Sequence, residues 1–433
     1  MLKQKSFIII AVAAIVAATL ACGKTDSNKS AGPAANTSAV ADFSAPLRLS
    51  ATDADAAEPG MAASTDGTVY LVWVEHKANK QADLWLRRLD QNGNALSQPV
   101  RINPQGGEAS AWRGDPPTIA IAKDGAIHVG WTARSAPTGH STNILLSTSR
   151  DGGQSFGPPV KVNDDSEPVV HGMHSLAVDG EGRIFVAWLD ERNVKMETPD
   201  GKAKMDEHKM EANRELYVAT SSDGGRTFSE NRLVGREACP CCKTALAIGG
   251  DGRVYVAWRQ VLPGNYRHIA VASSTDAGRT FSEPVIASDD KWMIAGCPVS
   301  GPALATAADN ALRVLWYSGG EAGSHGLYWS ETRDGGKSFT QRRALVEGAA
   351  FGNPQLIAGP GNTLTAVWES SEKEGPKIVL SSLDNAGAPS VKPLPDRGQL
   401  PSAAATRDQL FITYIIKQDQ QRSIWLVRAK TIA

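Results

Sequence analysis

One eight-residue pattern, Ser/Thr-x-Asp-x-Gly-x-x-Phe, recurs along this 433-residue chain. It runs from Ser149 to Phe156, Ser221 to Phe228, Ser274 to Phe281 and Thr332 to Phe339, with worn copies around Asp90 and Asp384. Chance does not repeat such a pattern, so the chain is built from copies of one structural unit.

Aligning the copies exposes a longer unit. Pro117 to Ala122 is followed by a turn at Lys123-Asp124-Gly125 and by Ile127 to Trp131. After a loop come Asn143 to Thr148, the Asp motif, and Pro159 to Val162. These are four short strands, and the Asp-Gly pair is a strong hairpin signal. The second strand ends in an aromatic at Trp73, Trp131, Trp188, Trp258, Trp316, Trp368 and Tyr414, which makes seven units. The last unit, Leu400 to Lys430, supplies three strands. Pro46 to Leu49 reads like the fourth strands Pro99 to Ile102 and Pro159 to Val162. An N-terminal strand that completes the last sheet closes a ring and removes open edges. The expected fold is all-β, a seven-bladed β-propeller over residues 44–433, with six blades as the fallback.

The N-terminus carries a processing signal. Lys3 and Lys5 precede an apolar run from Phe7 to Leu20, too short to span a bilayer. Thr19-Leu20-Ala21-Cys22 resembles a bacterial lipobox, which implies a signal peptide at 1–21 and a lipidated Cys22; ordinary cleavage with Cys22 incidental is the alternative. Residues 22–43 are mostly small and polar and read as a flexible tether. Gly23 after the cysteine favours the outer membrane, with the chain facing an oxidising periplasm. The 45 basic and 46 acidic residues nearly cancel, so nothing points to nucleic acid as a partner. The expected partners are the membrane, through the lipid on Cys22, and a protein or glycan ligand.

The Asp motif resembles the Asp box, or bacterial neuraminidase repeat, of the sialidase superfamily. Its work is structural: the carboxylate accepts backbone N–H groups, the glycine takes a positive φ, and the phenylalanine wedges into the core. Those roles fall to Asp151, Gly153 and Phe156; Asp223, Gly225 and Phe228; Asp276, Gly278 and Phe281; and Asp334, Gly336 and Phe339. The resemblance places an active site on the opposite face. Chain direction puts there Glu58 to Met61, Trp112 to Asp115, His171 to His174, Cys239 to Cys242, Trp292 to Pro298 and Phe351 to Asn353. The loop from Asp190 to Arg214, with Met196, Met205, His208 and Met210, joins them. Every methionine after Met1 is assigned to these loops and none to a strand.

Sialidases grip a carboxylate with three arginines, the first in an Arg-Ile-Pro motif. They attack with a tyrosine polarised by a glutamate and use an aspartic acid as proton donor. Here the early candidate, Arg48, lies in an edge strand and lacks the motif. Arg113, Arg192, Arg259 and Arg267 are candidate anion ligands, and Asp115, Asp190 and Glu191 are candidate acids. No Tyr–Glu pair can be assigned by spacing. Arg113-Gly114-Asp115 reads as a turn before Pro116. The expected function is therefore a binding module, with an exo-sialidase or related glycoside hydrolase as an alternative.

Cys239-Pro240-Cys241-Cys242 and Cys297 open adjacent units, and His171, Met173 and His174 open the unit before them. Two readings stay open. The cysteines form disulfides, a link such as Cys242 to Cys297 stapling two blades. Alternatively thiol, thioether and imidazole groups converge on copper or zinc. A redox role for Cys239 and Cys242 lacks the usual strand-then-helix setting.

Overall fold

Second strands such as Val69–His76, Ile184–Asp190 and Val254–Leu262 are apolar almost without interruption, and almost every residue in them is buried. A strand covered on both faces needs apolar residues at every position, so these strands must lie inside stacked sheets. The computed structural model describes residues 43–430 apart from 78, 80, 137–138, 195–212, 295, 322–324, 349, 360–362 and 384–389. The expected signal peptide, Cys22, the tether through residue 42, Met196, Met205, His208, Met210 and the copy at Asp384 lie outside the described residues.

The described strands form five four-stranded antiparallel sheets and one eight-stranded sheet. The larger sheet spans His171–Val178 to Val285–Ile286, and the strand pairing that joins its two halves is the single Ala238–Gln260 pair. The first strands are Asp55–Ala63, Thr118–Ile121, His171–Val178, Ala245–Ile248, Ala303–Thr306, Ala350–Ala358 and Gln399–Ala405. Each neighbours the next, and the last returns to the first, so the sheets ring a central channel as a β-propeller. The short strand Leu47–Arg48 pairs with Gln421–Lys430 and supplies the outer strand of the final sheet.

Trp73, Trp131, Trp188, Trp258, Trp316, Trp368 and Tyr414 are all fully buried between sheets. Several of the indole N–H groups are satisfied locally. Trp73, Trp188 and Trp258 donate to Glu75, Asp190 and Gln260, each two residues further on.

The four repeated turns share one geometry. Asp151 Oδ1 accepts the N–H groups of Gln154 and Ser155 and the Ser149 hydroxyl, and Gly153 N–H donates to Ser149 Oγ. Asp223, Asp276 and Asp334 sit in equivalent networks. Gly153, Gly225, Gly278 and Gly336 have φ of 84°, 84°, 79° and 90°. Phe156, Phe228, Phe281 and Phe339 pack against separate core clusters.

Hydrogen bonds from Ser155, Thr280 and Ser338 hold the Asp151, Asp276 and Asp334 carboxyls well below the usual range. At Asp223 slight burial opposes the shift, and the Thr227 hydroxyl and N–H outweigh it. A carboxylate depressed in the folded state stabilises the fold fully above its unfolded pKa. That contribution is lost as pH falls through the folded value. The urea midpoint should therefore hold from about pH 7 to about pH 5 and fall from about pH 4 downward, and Asp223→Ala should flatten part of that fall.

Candidate functional site

The first strand of several sheets is interrupted at one level. Register shifts fall between Ala57 and Gly60, Gly172 and Ser175, Gly352 and Gln355, and Gln399 and Ser402. At each bulge a non-glycine residue has positive φ: Glu58 at 50°, Met173 at 56°, Asn353 at 51° and Leu400 at 54°. Such residues are uncommon and mark places where a strand is re-aimed. Here the bulges turn Pro59, Ser175, Pro354 and Pro401 onto the wall of a cavity of about 320 Å³, and Lys243 and Thr244 line the same wall. Lys243 is the only charged residue among the described residues lining it.

Lys243 donates from Nζ to the Pro116 carbonyl at 3.2 Å. Burial lowers its ammonium pKa to about 8 against the pull of Asp115. Behind the wall, Asp115 Oδ1 accepts the His174 backbone N–H at 3.1 Å and lies 2.9 Å from His174 Nδ1, while Oδ2 accepts from Thr132 Oγ1 at 2.5 Å. Burial would raise the Asp115 carboxyl, but His174, Lys243 and Thr132 hold it down at about 2. His174 Nε2 is buried with no hydrogen-bond partner.

Next to Lys243 stands the cysteine cluster. Cys241 is bonded to Cys297, across 56 residues of sequence. Cys239 and Cys242 are free and buried, with sulfurs 3.6 Å apart, and Cys239 Sγ lies 3.9 Å from Cys241 Sγ. Arg259 is fully buried against Cys242. Its Nε and Nη2 donate to Ser300 O, and Nη2 also donates to Tyr317 O, but Nη1 has no partner. Arg267, 1% exposed, has Nε and Nη1 unpartnered. No carboxylate pairs with either guanidinium among the described residues. Burial opposes ionisation of the Cys242 thiol, but Cys239 and the Arg259 charge outweigh it and hold its pKa below the ordinary cysteine value. The hydrogen bond to Cys242, followed by burial, pushes Cys239 up.

These positions correct several expectations. The bridge joins Cys297 to Cys241 rather than Cys242, because Cys242 Sγ turns inward to Cys239 and Arg259. Met61 and Met173 lie in first strands and fill core clusters, since the bulges fold those segments into the sheet. Met173 does pack with the cysteines, but His171 and His174 turn away from them toward carboxylates. His171 Nε2 is 3.1 Å from Asp165 and 3.4 Å from Asp190. The disulfide also occupies two of the four sulfurs proposed for copper or zinc.

Apart from Arg259 and Arg267, the hydrolase candidates are spread out and already partnered. Arg113 pairs with Glu369, Arg192 with Asp164 and Asp190, and Glu191 with Arg214. Asp190 is fully buried under Arg192, which stacks over the Tyr217 ring at 4.4 Å. A Tyr–Glu pair that spacing did not single out does exist: Tyr217 Oη donates to Glu215 Oε2 at 3.1 Å. Burial and the Glu215 charge raise that phenol to about 12, which suppresses nucleophilicity. Trp112 to Asp115 is a turn closed by Asp115 N–H on the Trp112 carbonyl. Lys243 and the bulges were missed. The signal for the bulges was a proline recurring in first strands, at Pro59, Pro354 and Pro401, with Pro117 and Pro302 just before two others.

Solved structures share this architecture. Polysaccharide lyase Uly1 superposes with a TM-score of 0.55 at 10% identity, over 86% of this chain and 89% of that one. A family PL25 ulvan lyase bound to -[GlcA(1-4)Rha3S]- gives 0.55 at 12% identity, over 86% and 93%. The chain shares the fold of these lyases. The Hadza microbial sialidase Hz136 superposes at 0.49 with 16% identity, over 81% of this chain and 74% of that one. No family model and no curated protein matches the sequence.

Proposed function

We propose that this is a lipid-anchored, seven-bladed sialidase-like propeller of the bacterial envelope. In this reading Cys22 holds it to the outer membrane, facing the periplasm, and it binds an anionic ligand of sugar size in the channel on the face opposite its Asp boxes. The observation that supports this is Lys243, a lone cation on a cavity otherwise lined by neutral side chains and bulged backbone. A partly desolvated ammonium with one carbonyl partner has donors left for a carboxylate or sulfate. The candidate acids Asp115, Asp190 and Glu191 are each already held by a neighbouring His174, Arg192 or Arg214, which favours binding over hydrolysis.

Calorimetric titration with glucuronate, sialic acid and neutral glucose tests the reading. An acidic sugar should bind, glucose should not, and Lys243→Met should weaken binding at least about tenfold, the loss of one charge-assisted contact. Affinity should fall as pH rises through about 8, where Lys243 loses its charge. Equal binding by the Met variant, or binding to no acidic sugar, refutes it, and turnover of a fluorogenic sialoside would restore the hydrolase.

A further inference from the structure

The four cysteines gather four sulfurs of different standing into one place. Cys239 and Cys242 are a buried dithiol, each 1% exposed, whereas Cys297 is exposed and bonded to Cys241. The contacts form a chain: Cys242 to Cys239 at 3.6 Å, Cys239 to Cys241 at 3.9 Å, then the covalent bond to Cys297. A bridge serving only as a staple has no need of a second thiol pair in contact with it. Nor does it explain two buried guanidiniums, Arg259 and Arg267, that lack carboxylate partners. Buried cations without counter-charges fit a place where negative charge develops, and thiol–disulfide exchange creates thiolates at every step.

We infer that Cys239, Cys241, Cys242 and Cys297 form a thiol–disulfide exchange site that carries two electrons from the buried dithiol to an external disulfide at Cys297. Cys242 first loses its own proton to solvent and as thiolate takes that of Cys239, whose sulfur attacks Cys241, forming the 239–241 bond and expelling Cys297 as an exposed thiolate. Cys242 passes that proton to solvent and attacks Cys239, forming the 239–242 bond and releasing Cys241 as a thiolate. Cys297 attacks the external disulfide, forming a mixed disulfide and expelling one external thiolate. Cys241 then attacks Cys297, restoring the 241–297 bond and expelling the second thiolate. The external disulfide gains two electrons and two protons, and the protein ends with both disulfides formed. The substrate class is a disulfide small or mobile enough to reach Cys297.

The test incubates the full chain anaerobically with glutathione disulfide and, separately, with a disulfide-cyclised peptide. It is followed by acid quench, alkylation and peptide mapping. The expected result is a new Cys239–Cys242 linkage with release of two external thiols per chain, the stoichiometry of one exchange. The reagent that reacts identifies whether small or peptide disulfides are the substrate. Cys239→Ser keeps the 241–297 bridge and should slow thiol release by at least about a hundredfold, as should Cys297→Ser, because each breaks the relay. The wild-type mapping decides the matter even if a variant fails to fold. Neither reagent being reduced, with Cys239 and Cys242 still alkylatable after unfolding, overturns the inference. So does a Cys239→Ser chain that reacts as fast as wild type.

Discussion

Gly225→Val is expected to lower the urea unfolding midpoint more than any other single change in the repeated turns, costing about 3 to 5 kcal/mol. Two effects add. The residue has φ of 84°, where a β-branched side chain is strained. A Cβ built there would lie 2.9 Å from both Leu146 Cδ2 and Thr148 Oγ1, atoms of the preceding sheet. Gly153 and Gly278 meet their preceding sheets in the same way, at Leu86 and Thr220. In three of the four motifs the glycine is therefore a close-packing contact as well as a turn residue, whereas at Gly336 nothing lies nearer than 3.7 Å. Gly67→Ala separates the two contributions, because Gly67 has φ of 89° and nothing within 4 Å of its Cβ position. It should cost only about 1 kcal/mol. Equal losses at the two sites would show that the backbone, and not inter-sheet packing, sets the cost.

What was legible in the sequence follows from the range of each interaction. The second-strand aromatics announced themselves because a residue buried on both faces of a central strand must be large and apolar in every copy. The closing strand at Leu47–Arg48 was readable because it repeats the composition of other fourth strands. The bulges were not readable, since a shift between Gly172 and Ser175 depends on what the neighbouring first strands leave room for. For the same reason Met61 and Met173 looked like loop residues and proved to be core. The partner of His174 is Asp115, 59 positions away in the turn before the strand Thr118–Ile121, and no local spacing points to it. Cys241 and Cys242 are adjacent, so the choice between them as partner of Cys297 rests on which sulfur faces outward. That is set by Arg259 and Cys239 in the interior. The cysteine and histidine positions drew attention as one group, yet folding separates them into a sulfur–arginine cluster and a set of His–Asp pairs.

Arg259→Met should move the ionisation of the cysteine cluster while changing stability little. In the folded protein the Cys239 hydrogen bond and the Arg259 charge together offset the burial of Cys242, so its thiolate should form below the ordinary cysteine value of about 8.5. Removing that charge should raise the thiolate titration, leaving the Cys239 hydrogen bond to oppose burial. Thiolate ultraviolet absorbance against pH reads this directly, with Cys242→Ala identifying the signal. Stability should respond differently. Methionine leaves the Ser300 and Tyr317 carbonyls without their donors, at about 1 to 3 kcal/mol, but it also removes a buried cation with no counter-charge, which offsets much of that loss. A large titration shift with a modest change in the unfolding midpoint assigns Arg259 to the chemistry of the sulfurs. An unmoved titration with a collapsed midpoint would make it a strut between Ser300 and Tyr317, and the exchange chain would then lose its electrostatic support.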